Sequence, residues 1–126
     1  MSRQVTQDAL RALLRHGLGQ PLDADDLGNI RAAPPNALVA AATAHSVANF
    51  IGKLDPDTEP GVLLDPDVPL FFAEMRARNR ARNAALSRQL THLAGLLSDA
   101  GVVAVVLKGG AELIAPIYDD PADRFL

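Results

Sequence analysis

The sequence predicts an α+β domain: a mostly helical N-terminal part, then the first strand and glycine turn of a small mixed sheet. Three observations carry that expectation. Apolar residues recur at helical spacing along most of the chain before Gly101. Residues 102–107, Val-Val-Ala-Val-Val-Leu, form an apolar run bounded by Gly101 and by Lys108-Gly109-Gly110. A short amphipathic stretch follows those glycines directly. The organisation read from this is a helical region over 1–100 and the start of a sheet-containing core over 101–126.

Length and composition fit one such domain. A chain of 126 residues is long enough for one modest domain and too short for two ordinary ones. Apolar residues make up 48% and charged residues 21%, the balance of a globular protein rather than a disordered tail. A formal net charge of -3 gives no global attraction to nucleic acid or anionic membrane, so any polyanion site has to be local. Cysteine is absent, which excludes disulfides and thiolate metal sites. The N-terminus, MSRQVTQDAL, has no apolar signal core, and no apolar run approaches membrane-spanning length. A cytoplasmic protein with no membrane partner is expected.

Residues 6–16 read as a helix, with Leu10, Leu13 and Leu14 on one face and Arg11 and Arg15 on the other. Thr6 suits its N-cap and Gly17 a left-handed C-cap. His16 suits the negative end of that helix. After a connection rich in Gly, Pro and Asp, a second helix is expected over 37–54, opened by Asn36. Pro34 and Pro35 forbid an earlier start. Prolines at 56, 60 and 66 make 55–67 a loop, with one extended step at 62–64. A long helix over 69–100 follows, closed by Gly101. Its second half carries Leu86, Leu90, Leu93 and Leu97 as a core stripe. In its first half Arg76, Arg78, Arg80 and Arg82 spread charge over a broad arc, leaving Ala77, Ala81 and Ala85 as a smooth strip. Residues 111–118 suggest a short helix ended near Pro116.

Five of the six residues in 102–107 are large or β-branched and apolar, a composition that implies burial on both faces. Such a strand needs neighbours, because each buried unpaired backbone group costs about 1–3 kcal/mol. Residues 61–64 are the one weak candidate elsewhere. The sheet is therefore expected to be completed by residues after Leu126 or by another chain, the first being preferred. The domain reads as truncated.

At Leu107-Lys108-Gly109-Gly110-Ala111 a strand meets two glycines and a helix start. Glycines allow close backbone approach to a ligand, helix-opening amides favour anions, and Lys108 adds positive charge. A phosphate cradle and an ordinary turn with a solvated lysine both fit these residues. The spacing is neither G-x-x-x-x-G-K-[ST] nor G-x-G-x-x-G.

The wider pattern resembles the bacterial nucleotidyltransferase family of the DNA polymerase beta superfamily, in its Leu-Lys-Gly branch. Asn83, Leu86 and Leu90 match that family's preceding helix, Gly101 and the run 102–107 its strand, and Lys108-Gly109 its turn. Tyr118 and Arg124 match later marks, and His45 matches an upstream helix; the resemblance covers roughly 37–126. It implies transfer of a nucleotidyl group from a nucleoside triphosphate such as ATP to an unknown acceptor. It also implies that Lys108, Gly109, Gly110 and Arg124 contact the nucleotide, and that Mg2+ serves the full-length protein. The paired Asp-x-Asp that holds the metals in that family does not follow Arg124 here. No catalytic or metal-binding residue is therefore assigned in this chain, and no turnover is expected from it alone. The alternative is a non-enzymatic helical binding or regulatory module that pairs its one strand with a partner or with its own copy.

Other candidates read as structural. Asp119, Asp120 and Asp123 are interrupted by Pro121, whereas two-metal chemistry wants carboxylates side by side on one strand face. Asp55-Pro56-Asp57 and Asp65-Pro66-Asp67 sit on proline loops, with Asp67 suited to a helix cap. His16, His45 and His92 lack metal-like spacing. His45 is read as a core residue and His92 as a surface one. The arginines at 76–88 are read as a solvated face with no clear nucleic-acid site. Ser46 and Ser87 lack a neighbouring base.

Overall fold

The computed structural model describes residues 2–114 and 120–123. All regular structure among them is helical, and the chain divides into two compact units, Met1–Arg76 and Ala77–Leu126. The expected α+β class is thereby corrected to all-α.

The first unit holds α1 (Ser2–Gly17), α2 (Ala24–Ala32), α3 (Pro35–Ala44), α4 (Ala48–Ile51), a 3-10 turn (Gly61–Leu63) and the opening of α5 (Asp67–Asp99). Its core is aliphatic with one aromatic anchor. Ala9, Ala12 and Leu13 of α1, Ile30 of α2, Leu38 and Ala42 of α3, Ile51 of α4 and Phe72 of α5 are all buried in one cluster. Helix α1 begins at Ser2 rather than at Thr6, and Thr6 is a buried interior residue instead of its cap. The left-handed residue that ends α1 is Gly19 (φ 82), not Gly17. There the Gln20 amide donates to the Arg15 carbonyl and the Gly19 amide to the His16 carbonyl, the paired bonds of a Schellman cap. Gly17 is small for another reason: a Cβ there would meet Cε1 of Phe50 at 2.6 Å.

Helix α2 lies inside the expected connection. Asp23 and Asp26 build its start reciprocally, the Asp26 amide donating to Asp23 Oδ1 at 2.8 Å and the Asp23 amide to Asp26 Oδ2 at 3.1 Å. Asp26 also accepts an ion pair from Arg15, which ties α2 to α1. The single helix expected over 37–54 is two. Pro35 sits at the first helical position of α3, where its missing N–H is harmless. Ser46, left-handed at φ 56, then turns the chain before α4. At the end of α4 the Arg76 guanidinium donates to the Asn49 carbonyl at 3.2 Å, satisfying an orphaned helix-end acceptor. Gly52 there lies so close to the Phe72 carbonyl and the Arg76 Cβ that no side chain fits.

The loop over 55–67 is built from two Asx turns. The amides of Asp57 and Asp67 donate to the side chains of Asp55 and Asp65 at 2.8 and 3.0 Å. Asp65 rather than Asp67 therefore organises the entry to α5. The step at 62–64 closes as a 3-10 turn instead of extending.

The second unit consists of the rest of α5, residues 101–107, α6 (Gly109–Ile114) and a 3-10 turn (Pro121–Asp123). Gly101 ends α5 in the left-handed region as expected (φ 76), with the Val102 amide donating to the Leu97 carbonyl at 2.9 Å. Residues 102–107 form no strand. Nor are they buried on both faces, since Val103 is 93% exposed and Val105 80%. The reason is the one that made the strand demanding: a strand exists only through its pairing, and no second extended segment is present among the described residues. The expected stripe at Leu86, Leu90, Leu93 and Leu97 is likewise only half-buried, with Leu93 exposed. Helix α6 covers the start of the stretch expected over 111–118; residues 115–118, Tyr118 among them, lie outside the described residues.

Candidate functional site

The sequence-nominated site begins where the second unit leaves α5. From Gly101 the chain runs outside any helix or strand to Lys108, a non-glycine residue held left-handed at φ 55. Gly109 then opens α6, and the Ala111 amide donates back to the Lys108 carbonyl at 3.1 Å. The turn thus brings Lys108, Gly109 and Gly110 together, with Lys108 exposed. Arg124, the fourth nominated residue, lies outside the described residues.

Packing rather than backbone freedom accounts for Gly110. A Cβ there would meet Cγ1 of Val106 at 3.0 Å and Cδ2 of Leu90 at 3.4 Å. Val106 is the one part-buried residue of 102–107, and both it and Leu90 of α5 lie close to Gly110. Val103, Val105 and Leu107 stay exposed. Glu112 falls in the first turn of α6, close in sequence to the lysine.

The segment 120–123 is held to α5 by two side chains, Asn79 and Arg80. Asn79 Nδ2 donates to the Ala122 carbonyl at 2.7 Å, and Arg80 pairs with Asp120 at 2.7 Å. Asp120 Oδ1 also accepts from the Ala122 amide at 2.9 Å. Asp120 is therefore a turn-forming residue, in line with its structural reading. Asn79, buried on α5, was not singled out in the sequence; its signal is the i, i+4 pair it makes with the equally buried Asn83.

The arginine run does not form one solvated face. Arg76 is buried against α4 and Arg80 is paired, while Arg78, Arg82 and Arg88 are exposed. His45 is an exposed C-cap of α3 rather than a core residue, and His92 is exposed as expected. Among the described residues there is no group of three or more His, Asp or Glu side chains that could hold a metal ion. No helix among them is long and apolar enough to cross a membrane.

The first unit carries surface cavities beside α1. One of about 250 Å³ is lined by Leu13, His16, Phe50, Lys53 and Asp55 among others. Open depressions of about 440 and 330 Å³ flank α1 at Arg11 and Leu14. Comparison with protein-family models, curated proteins and solved structures returned no match.

Proposed function

We propose that this chain carries the triphosphate-facing turn of a nucleotidyltransferase whose paired metal-binding aspartates are supplied from outside these 126 residues. The observation that supports the reading is the local geometry at Lys108. An apolar segment outside any helix feeds a left-handed, exposed lysine into two glycines that open a helix. A non-glycine residue in that backbone region costs about 1–3 kcal/mol, and such positions cluster where a chain meets a ligand.

In this reading the Lys108 ammonium and the amides of Gly109 and Gly110 neutralise the phosphates of a nucleoside triphosphate. Arg124 adds a second cation. An acceptor hydroxyl or phosphate attacks the α-phosphorus, and pyrophosphate leaves with the electrons of the broken P–O bond. The residues described here bind and orient the nucleotide. The protein works in the cytoplasm.

A second reading, a binding module without chemistry, is favoured by one observation: 102–107 present an exposed apolar surface. The two readings part on nucleotide binding. Titrating the isotope-labelled chain with Mg-ATP is expected to shift the amides of residues 108–111, and Lys108→Ala is expected to weaken that response about tenfold, worth ~1.4 kcal/mol. No turnover is expected. Unchanged amide positions at millimolar nucleotide, or metal-dependent transfer by the chain alone, would count against the nucleotidyl-transfer reading as stated.

A further inference from the structure

Large apolar side chains are left exposed at closely spaced positions of the second unit. Leu93 and Leu96 are each more than half exposed on the last turns of α5, and Val102, Val103, Val105 and Leu107 follow at 50%, 93%, 80% and 71%. Of residues 102–107 only Val106 is part-buried, its Cγ1 lying 3.0 Å from where a Cβ on Gly110 would stand. The segment thus presents a largely open apolar surface. Between Leu93 and Leu107 the only charged residue is Asp99.

We propose that this face is a self-association surface, covered by the same face of a second copy of the chain in a closed two-fold dimer. Two features select that occupant. A partner of different sequence is ordinarily chosen by complementary charge, and this surface offers almost none to read. A second copy meets it with the same uncharged side chains and no like-charge penalty, which is the self-complementarity a two-fold interface requires. The area also suits it. Six side chains at these exposures present on the order of 600 Å², and a rim of neighbours brings that near the roughly 800 Å² per partner of a stable interface. A surface of this size lies at the upper end of what monomers leave in water, where such patches are often functional. The proposal rests on the exposed side chains and not on the nucleotidyl-transfer reading.

Sedimentation velocity of the purified chain between roughly 1 and 100 µM is the test, a span that brackets micromolar association. A reversible monomer–dimer equilibrium is expected. The double substitution Val103→Glu/Val105→Glu is expected to weaken it at least about a hundredfold. Both positions are exposed, so the circular dichroism of the helices stays unchanged. Val62→Glu, on an exposed residue of the first unit, is the control and leaves the equilibrium alone. The chain has no cysteine, so a spin label on Ala104→Cys is unique, and dipolar broadening between copies is expected at dimeric concentrations. A monomer throughout the range, growth past the dimer, or a dimer indifferent to the double substitution overturns the proposal. Loss of nucleotide binding has no bearing on it.

Discussion

Gly52 shows how single atoms hold the first unit together. Its missing side chain lets the end of α4 lie against the Phe72 carbonyl and Arg76 Cβ, and that approach positions the Arg76 guanidinium on the Asn49 carbonyl. Gly52→Ala pushes backbone against backbone, which cannot yield as a flexible side chain would. A loss of about 1–3 kcal/mol in urea unfolding is expected. Asp26 supplies a different kind of control. The Asp23 amide donating to its carboxylate lowers its pKa below the usual 3.8; partial burial opposes this, and Arg15 adds to the lowering. A depressed folded-state pKa means stability that is fully present above the unfolded value and lost as pH falls through the folded one. Unfolding measured from pH 5 downward is therefore expected to show a fall below about pH 4 that Asp26→Asn reduces. An identical slope in the variant would remove Asp26 from the account.

The helices differ in how plainly the sequence announces them. Helices α1 and α5 are long and periodic, and the Gly101 stop is a Schellman cap with the glycine where the left-handed turn needs it. Helix α2 escaped because its signal is a four-residue capping pattern, Asp23 to Asp26, within a stretch rich in turn formers. The break between α3 and α4 was invisible for the opposite reason. Ser46 takes a left-handed conformation with no glycine or proline to mark it, in a run of alanines that suits a continuous helix. The segment 102–107 has the residues of a strand, but a strand is a property of a pair, and sequence composition cannot supply the second member. Of the nominated site, Lys108 to Gly110 are contiguous and were legible as a turn. The tethering of 120–123 by Asn79 and Arg80 was not, because it joins residues some forty positions apart. The two left-handed glycine caps can be compared directly. Nothing lies within 4 Å of a Cβ at either Gly19 or Gly101, so Gly19→Ala and Gly101→Ala report conformational strain alone. Each is expected to cost about 1–2 kcal/mol. If thermal unfolding moves for neither, the caps do not govern where these helices stop.

At the scale of the whole molecule the two units are built on different terms. The first closes an aliphatic cluster around Leu38 and Phe72, both fully buried. Among the described residues of the second, only Asn79, Asn83 and Ala122 are buried, and its apolar segment faces outward. The self-association surface depends on 102–107 being open in the single chain. Amide hydrogen exchange on the dilute monomer measures this most directly. Peptides covering 102–107 are expected to exchange at nearly the rate of unstructured chain, while those from α1 and α3 are protected by orders of magnitude. Protection of 102–107 to the same degree as α1 would mean that the segment finds its partners within the chain, and would contradict the account.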